Sequence, residues 1–348
     1  MTKQTKQKKK RFPSELRYDL VGQDWVVIAT GRAKRPEMFK KEERQKNALP
    51  KSKCPFCNLK DQEKPILAYE HGERVKFKKG SIPKSWTTIV VPNKFPAVIP
   101  GDVLNEHTEG GIHKKMNAVG FHEVVITSHH KRQLAQFSVD EIKEVIEVYR
   151  QRYLALKRER FVNHISVFHN HGAEAGASVA HPHSQIITTP LIDVDLKRAL
   201  ENSKNFFEKN GKCVYCHMNE VEQRAKKRIV FENDQFQVIC PFASKAAFEM
   251  IISPKKHTPY FEEITQWEKM DLAQAFKQAL GRLYKGLDDP AYNFYLHTAP
   301  AGREKYPYYH WHWTVLPKTS IPAGFELGTQ MEISTIEPEK AAEYLRKQ

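Results

Sequence analysis

Long hydrophobic runs are missing from this chain of 348 residues. A helix that crosses a membrane needs about 20 consecutive apolar residues, and every apolar run here is far shorter. The strongly basic segment 1–11 also has no apolar stretch behind it, which a secretory signal peptide requires. We therefore expect residues 1–12 to form a disordered basic tail on a cytoplasmic protein that has no membrane partner.

Acidic residues are in deficit, because 41 Asp and Glu stand against 56 Lys and Arg and give a formal net charge of +15. The apolar content of 40% and the charged content of 28% are typical of a globular protein. A chain of this length buries one large core or two of ordinary size. The positive surplus favours anionic ligands, which include nucleic acid, nucleotides and sugar phosphates.

Cysteine is scarce, with only five residues in the chain. Four of them form two Cys-x-x-Cys pairs, Cys54 with Cys57 and Cys213 with Cys216. In a chain without a secretion signal, such pairs indicate metal binding rather than disulfides. A thioredoxin-like redox pair is the alternative, but it is expected once, at the start of a helix in a βαβ unit. We expect Cys240, which has no counterpart, to be a buried free thiol.

The sequence repeats a set of landmarks in the same order in its two halves. After its Cys-x-x-Cys pair, each half contains an Asn turn (Asn93, Asn233), a β-prone run ending at a histidine (His130, His257), a helix-capping residue (Ser138, Thr265) and a His-x-His pair (His181 and His183, His310 and His312). This order predicts an internal duplication. We predict an α+β fold whose halves each contain an antiparallel sheet and a long helix. Residues 13–192 would form the N-terminal catalytic domain and residues 193–348 the C-terminal domain.

One amphipathic helix is predicted in each half. Ser138 with Glu141, and Thr265 with Glu268, have the spacing of capping boxes. Apolar residues at helical spacing follow each box, and we interpret them as core: Ile142, Val145, Ile146, Tyr149 and Tyr153 in the first helix, and Leu272, Phe276, Leu280, Leu283 and Leu287 in the second.

Each half offers two cysteines and two histidines to a metal ion. Zinc prefers a tetrahedral set of thiolate and imidazole donors, and ligands this far apart in sequence would tie distant elements together. The alternative is that the cysteines are small buried residues and the histidines bind nothing. We predict two zinc sites, formed by Cys54, Cys57, His130 and His181 and by Cys213, Cys216, His257 and His310.

A loop of small residues, segment 170–178, leads directly into the first His-x-His pair. The residues that follow are β-prone, so His181, His183 and Gln185 are predicted on one face of a strand. A neutral imidazole can attack an activated phosphorus, and His183 is the better candidate because His181 is assigned to the metal. Loop N–H groups, Ser178 and the Gln185 amide would stabilise charge on the phosphate. The alternative is an ordinary pair of strand histidines.

The second half lacks such a loop. Bulky aromatic residues surround His310 and His312, and Thr314 stands at the position that corresponds to Gln185. We therefore expect catalysis in the first half, and a structural and substrate-binding role for the second.

The segments 16–36 and 170–185 resemble the galactose-1-phosphate uridylyltransferase family of the histidine-triad superfamily, and the resemblance covers most of the chain. It implies a nucleotidyltransferase of galactose and carbohydrate metabolism that uses UDP-glucose in a ping-pong exchange. A nucleoside monophosphate would pass from the sugar nucleotide to His183, and then to a second hexose 1-phosphate. The resemblance also implies zinc at the first cluster and a homodimer.

The same resemblance implies roles for further residues. Phosphoryl oxygens would be bound by Gln185 with Asn170, Gly176 and Ser178. The nucleoside pocket would include Asn93 and Phe95, and the sugar would meet Phe325 and Glu326. Phosphates would also be reached, across a dimer interface, by Arg32 and Arg35.

Several residues depart from the family pattern. Ser184 replaces a glycine, Lys94 stands where an acidic residue can hold the ribose, and Phe325 replaces a tyrosine. The second cysteine pair is also absent from many members. In these respects the chain resembles a branch with ADP-glucose phosphorylase activity, so the base and the sugar stay open.

Three other functions are compatible with parts of this pattern. Phosphorolysis of an ADP-sugar is the enzymatic alternative. Nucleotide hydrolases of this superfamily have a third histidine where Gln185 stands, which argues against hydrolysis. A basic zinc protein that binds nucleic acid is the alternative of another class, although the chain lacks an evident aromatic and basic stacking motif.

Overall fold

The computed structural model describes residues 14–29, 49–78, 80–302 and 304–348. The predicted tail over residues 1–12 lies outside the described residues, as do Arg32 and Arg35. Among the helices in the described part of the chain, none is both long and apolar enough to cross a membrane.

The described residues form sixteen strands and six α-helices. The strands of the first half and its N-terminal extension are β1 (Glu15–Tyr18), β2 (Trp25–Ile28), β3 (Leu67–Glu70), β4 (Glu73–Arg74), β5 (Thr88–Pro92), β6 (His107–Glu109), β7 (His113–Lys115), β8 (His122–Thr127), β9 (His164–His171) and β10 (His183–Thr189). Those that follow are β11 (Ile229–Glu232), β12 (Phe236–Ile239), β13 (Met250–Pro254), β14 (Tyr292–His297), β15 (His312–Pro317) and β16 (Ile333–Ser334). The helices are α1 (Val139–Leu156), α2 (Val194–Asn210), α3 (Val214–Ala225), α4 (Gln266–Leu287), α5 (Gly324–Thr329) and α6 (Pro338–Arg346).

One antiparallel sheet of eleven strands forms the centre of the molecule, in the order β11-β12-β13-β15-β14-β9-β10-β8-β5-β3-β4. The predicted α+β class and the antiparallel pairing are confirmed. The two halves do not keep separate sheets, however, because β9 and β14 pair edge to edge and bring Asn170 opposite Asn293. Joining the two edges satisfies main-chain groups that each half would otherwise expose.

The predicted helices begin where the capping pattern placed them. Ser138 Oγ accepts the N–H of Glu141, and Glu141 Oε2 accepts the N–H of Ser138, so the box at the start of α1 is reciprocal. Thr265 and Glu268 form the same box at α4. In each half the long helix follows one strand (β8 or β13) and precedes a hairpin (β9–β10 or β14–β15).

The Asn93 and Asn233 turns are not equivalent in the sheet, and the predicted repeat is wrong at this point. In the second half β12, which follows Asn233, pairs with β13. In the first half β5, which precedes Asn93, pairs with β8 instead. Pro96 and Pro100 follow Asn93, and proline offers no N–H to a ladder. The segment after Asn93 therefore contributes only an isolated bridge at Ile99.

Helices α1 and α4 contact each other and cover one face of the sheet. Their predicted apolar stripes are buried in one continuous core, which also contains Trp311 and Trp313. Strand β10 alternates between the two faces, so that Ile186 joins this core, whereas His183 contacts Phe56 on the opposite face. The face opposite α1 therefore carries His183, whereas in the second half α3 packs on the corresponding face through Tyr215 and His312.

The first strands of the chain are held by its last part. Strand β2 pairs with β1 and, in parallel, with β16. Arg17 donates to both carboxylate oxygens of Glu339, at 3.0 and 3.1 Å, and Arg228 donates to Oε1 at 2.5 Å. Both guanidinium groups are buried and lie over the ring of Phe242. Burial opposes ionisation of Glu339, but its hydrogen bonds from Arg17 and Arg228 help to lower its pKa.

We expect Glu339→Gln to lower the free energy of unfolding by about 3 kcal/mol, because breaking a buried ion pair leaves charge uncompensated. Arg228 keeps its bonds to Glu222, which limits the loss. Urea unfolding measures the effect. The control is Glu343→Gln, which removes an exposed pair with Lys347 and should change nothing measurable. Equal behaviour of the two variants would contradict this account.

Candidate active site

The four residues predicted as the first metal site meet at one point. Cys54 and Cys57 lie on a short loop, His130 follows β8, and His181 precedes β10. The distance from His130 Nδ1 to Cys57 Sγ is 3.3 Å, and His181 Nδ1 lies 3.5 Å from the Sγ atoms of both Cys54 and Cys57. All four candidate ligand atoms lie within 4.8 Å of one another.

Hydrogen bonds fix which nitrogen of each histidine faces the thiols. His181 Nε2 donates to the carbonyl oxygen of Thr127 at 2.6 Å, and His130 Nε2 donates to that of Leu49 at 2.9 Å. Each ring therefore presents an unprotonated Nδ1 to the cluster. Burial lowers the pKa of His181 to about 4, which favours the neutral ring that a metal needs.

The second predicted set converges in the same way. Cys216 Sγ lies 3.4 Å from Nδ1 of both His257 and His310, and Cys213 completes the cluster. The Nε2 atoms of the histidines donate to the carbonyl oxygens of Pro307 and Pro254, at 2.8 and 2.9 Å.

Both clusters have the donor set and the spacing of a tetrahedral metal centre. Zinc bonds of about 2.3 Å to sulfur and about 2.0–2.1 Å to nitrogen put neighbouring S and N atoms about 3.6 Å apart. The observed separations of 3.3–3.5 Å are close to that value. Both clusters can therefore hold a metal ion.

His183 is held so that one nitrogen stays free. Its Nδ1 donates to the main-chain oxygen of His181 at 2.8 Å, and Nε2 has no hydrogen-bond partner among the described residues. The ring of Phe56, from the cysteine loop, packs on it with centroids 4.8 Å apart. Burial lowers the pKa of His183, although the bond to His181 partly opposes this, so the ring is neutral near pH 7.

The small-residue loop forms a tight turn between β9 and β10. Gly172 and Gly176 have φ values of +83° and +86°, which residues with a Cβ adopt only under strain. A Cβ on Gly172 would also come within 2.8 Å of the Ala291 side chain. The amide of Asn293, on β14, donates at 2.8 Å both to Asn170 Oδ1 and to the carbonyl oxygen of Ala175. The second half of the chain thus shapes the loop of the first half. No pattern in the sequence indicates this contribution of Asn293.

Of the remaining predicted residues, some contact His122 and others are exposed. Gln185 lies two positions beyond His183 on β10, and His122 Nε2 approaches its Oε1 at 2.8 Å. Asn93 Nδ2 lies 3.0 Å from the same His122 nitrogen, so Asn93 and Gln185 belong to one cluster. Ser178, Gly176 and Phe95 are exposed, and Phe95 is 82% accessible.

Among the described residues, no hydrogen bond or ring contact joins Phe325 or Glu326 to His183. They lie on the short helix α5, where Glu326 Oε2 accepts the N–H of Ala323. Arg32 and Arg35 lie outside the described residues.

Ser184, which replaces the family glycine, joins three elements behind the site. Its Oγ lies 2.5 Å from Tyr149 Oη on α1 and 3.1 Å from His169 Nδ1 on β9. All three groups are buried. A glycine here would leave the Tyr149 hydroxyl and the His169 nitrogen without this partner. No sequence pattern indicates this contact, because Tyr149 belongs to the predicted apolar stripe of α1.

In the second half, aromatic side chains pack around His312, which corresponds to His183. His312 Nδ1 donates to the His310 carbonyl at 3.1 Å, which copies the His183 bond. The other side of its ring stacks on His297, with centroids 4.6 Å apart, and Tyr215 packs on it where Phe56 packs on His183. Tyr309, in a cluster with residues of α2, is also buried. The surroundings of His312 therefore differ from those of His183, whereas the bond from Nδ1 to the carbonyl is the same.

Known proteins share this architecture over nearly the whole chain. ADP-glucose phosphorylase of Arabidopsis thaliana is 34% identical over 339 residues, which cover 96% of this chain and 92% of the relative. Galactose-1-phosphate uridylyltransferase of Thermotoga maritima is 27% identical over 342 residues, covering 96% and 98%. The structure of an ADP-glucose phosphorylase from Arabidopsis thaliana with bound ADP-glucose matches with a TM-score of 0.77 at 29% identity, over 96% of this chain and 99% of that chain.

Fold and relatives together define a nucleotidyltransferase, an enzyme that moves a nucleoside monophosphate group. Residues 3–192 match the N-terminal domain of galactose-1-phosphate uridyl transferase, and residues 199–347 match its C-terminal domain. The chain belongs to the galactose-1-phosphate uridyl transferase family.

We expect Ser184→Ala to cost about 1–3 kcal/mol of unfolding free energy, since it strands a buried hydroxyl and a buried imidazole nitrogen. Tyr149→Phe should cost about 1 kcal/mol. Because both variants remove the same bond, the double variant should cost less than the sum of the two. Urea unfolding of all four proteins measures the cycle, and strictly additive losses would show that the two hydroxyls do not interact.

Proposed function

We propose that this protein transfers a nucleoside monophosphate from a sugar nucleotide to a hexose 1-phosphate through a covalent nucleotidyl-His183 intermediate. The observation that carries the proposal is the state of the His183 ring. Its Nδ1–H is committed to the His181 carbonyl, its Nε2 is free among the described residues, and burial keeps the ring neutral by lowering its pKa. These are the properties of a nitrogen nucleophile.

In the first step the Nε2 lone pair attacks the α-phosphorus of the sugar nucleotide. The bond from that phosphorus to the bridging oxygen breaks, and the sugar 1-phosphate leaves as a stable anion that needs little proton donation. The imidazole becomes positively charged while it keeps its Nδ1 proton. The His181 carbonyl oxygen, 2.8 Å from Nδ1, stabilises that charge.

Charge on the phosphoryl oxygens is stabilised by donors on the sheet face opposite α1. The Gln185 amide lies on the same strand face as His183. The loop after β9 adds the Ser178 hydroxyl, and the loop's shape is set by Asn170 and Asn293. Donors fixed before the reaction cost no reorganisation in the transition state.

In the second step a phosphate oxygen of the second sugar 1-phosphate attacks the same phosphorus. The nitrogen–phosphorus bond breaks, and His183 returns to its neutral form with Nδ1–H still bonded to His181. The exchange is therefore a ping-pong reaction that leaves the protein unchanged.

The relatives favour a second candidate function, phosphorolysis of ADP-glucose. The Arabidopsis relative with that name is more similar to this chain than the Thermotoga uridylyltransferase, at 34% against 27% identity. In that reaction inorganic phosphate replaces the hexose 1-phosphate in the second step, and the products are ADP and glucose 1-phosphate. Lys94 and Phe325, which depart from the uridylyltransferase pattern, are compatible with this candidate.

Both clusters are proposed to hold zinc, with thiolate sulfurs from the cysteines and Nδ1 atoms from the histidines. The ion would supply a structural cross-link rather than a reacting group. In the first half it would fix the Cys54–Cys57 loop to the start of β10, so that Phe56 stays against His183. The homodimer, with Arg32 and Arg35 reaching phosphates and Phe325 and Glu326 reaching the sugar, remains part of the proposal.

We expect donors labelled with ³²P in the α-phosphate to mark the protein covalently. The bond should be labile in acid and stable in base, as a phosphoramidate is. His183→Ala should abolish labelling because it removes the nucleophile. The matched control is His312→Ala, which removes the corresponding histidine of the second half and should retain labelling. Labelling that survives in His183→Ala would reject the assignment of the nucleophile.

The same assay separates the two candidate functions. UDP-glucose and ADP-glucose are compared as labelled donors, and galactose 1-phosphate and phosphate are compared as acceptors that discharge the label. Release of UDP-galactose supports the uridylyltransferase, whereas release of ADP by phosphate supports the phosphorylase. Tight oligonucleotide binding without labelling by either donor would favour the nucleic-acid class instead.

We expect the purified protein to contain two zinc ions per chain when its metal content is measured by mass spectrometry. Cys57→Ser and Cys216→Ser should each lose one ion, because each removes a ligand from a different cluster. Cys240→Ser is the control, since this buried thiol belongs to neither cluster. An unchanged metal content in Cys57→Ser would contradict the proposed ligand set.

A further inference from the structure

His122 connects a main-chain amide to the side chain of Gln185. It begins β8, which pairs with β10 so that Val124 stands opposite Gln185. Residues two apart on a strand share a face, so His122 lies diagonally beside Gln185 on the sheet face opposite α1. The distance from His122 Nε2 to Gln185 Oε1 is 2.8 Å.

The protonation of the His122 ring follows from its other nitrogen. The N–H of Ala97 points at Nδ1 over 3.1 Å. A main-chain N–H can only donate, so Nδ1 must be the accepting, unprotonated nitrogen. The proton of the neutral ring is then on Nε2, which donates to Gln185 Oε1.

The turn that supplies the Ala97 amide is itself fixed. The N–H of Asn93 donates to the main-chain oxygen of His122 at 2.8 Å, and Asn93 Oδ1 accepts the N–H of Phe95 at 2.9 Å. With its oxygen occupied, Asn93 presents its Nδ2 to His122 Nε2 at 3.0 Å. Both nitrogens carry protons, so this contact is not a hydrogen bond, and the Nε2 proton is directed to Gln185 Oε1. Main-chain hydrogen bonds thus fix which nitrogen of the His122 ring carries the proton, and that proton fixes the orientation of the Gln185 amide.

An amide side chain has two orientations of nearly equal shape, related by a flip that exchanges its oxygen and nitrogen. Only one orientation presents an NH₂ group to a phosphoryl oxygen, whereas the other presents a lone pair that repels it. The donor on His122 selects the orientation in which Oε1 is occupied. The Gln185 NH₂ group has no hydrogen-bond partner among the described residues, so it is available to a ligand.

We propose that His122 is a positioning residue, which orients the Gln185 amide so that its NH₂ group donates to the α-phosphoryl oxygens while His183 attacks. The inference rests on the proposed function, because it assigns His122 a part in that same step. His122 does not touch the reacting atoms in this account. Gln185 does touch the reacting phosphate, and His122 disfavours the flipped orientation of its amide. This is a form of preorganisation.

Two substitutions divide the functions of the ring. His122→Gln can place an amide donor near the position of Nε2, so it can still serve Gln185. His122→Asn can place an oxygen near the position of Nδ1, so it can still accept from Ala97, but it has no group that reaches Gln185. We expect His122→Gln to retain most of the rate constant for labelling of His183 in a single turnover, and His122→Asn to lose about 10-fold because a misplaced catalytic group costs rate.

A double-mutant cycle separates positioning from a general structural role. Gln185→Ala alone should slow labelling about 10²-fold, as expected for the loss of one donor to a charged transition state. In the Gln185→Ala background, His122→Asn should have no further effect, because there is no amide left to orient. Donor affinity is measured separately, so that a change in binding is not taken for a change in rate. If His122→Asn does not fold, His122→Leu, which makes neither bond, takes its place in the cycle.

Three results would overturn the inference: a wild-type rate in His122→Asn, an equal loss in His122→Asn and His122→Gln, or an unchanged effect of His122→Asn in the Gln185→Ala background. Failure of the proposed function has a different signature, which is wild-type protein that neither donor labels. Labelled wild-type protein with an additive cycle would reject the positioning role alone.

Discussion

One residue, His181, makes the two bonds on which the candidate site depends. Its side chain directs Nδ1 toward Cys54 and Cys57, and its main-chain oxygen accepts the Nδ1–H of His183. The candidate metal ligand His181 and the proposed nucleophile His183 are therefore separated by a single residue, Pro182, so that their positions are coupled. Phe56 adds a second link, because it belongs to the cysteine loop and packs on the His183 ring. A metal ion bound at this cluster would act on reactivity by restricting one strand.

The two halves show how a duplicated unit divides its tasks. Both keep the four-residue cluster and the bond from the second histidine to the carbonyl of the first. In the second half the ring of His312 is stacked on His297 and also packs against Tyr215. That half instead gives Asn293 to the active loop across the β9–β14 junction. The junction makes the second half part of the first half's site.

Much of this architecture was predictable from local patterns. The capping boxes at Ser138 and Thr265 depend on residues three apart, and the eight cluster residues followed from repeat spacing. The contacts that join distant elements were not predictable. His122 belongs to no motif, and its relation to Gln185 exists only through the register of β8 with β10. The misplaced Asn93 repeat has a similar cause, because the sheet neighbour is decided by which segment can supply N–H groups, and the prolines after Asn93 cannot.

The contact between Arg17 and Glu339 spans 322 positions along the chain. A ribosome adds about 5–20 residues per second, so the strand that carries Arg17 leaves the exit tunnel tens of seconds before its acidic partner is made. During that interval β1 and β2 have neither β16 nor Glu339 to pair with. The strand that carries Arg17 is thus made long before its native partners, and a chaperone that shields Val26 and Ile28, which are buried in the folded protein, would act on a physical need built into the topology.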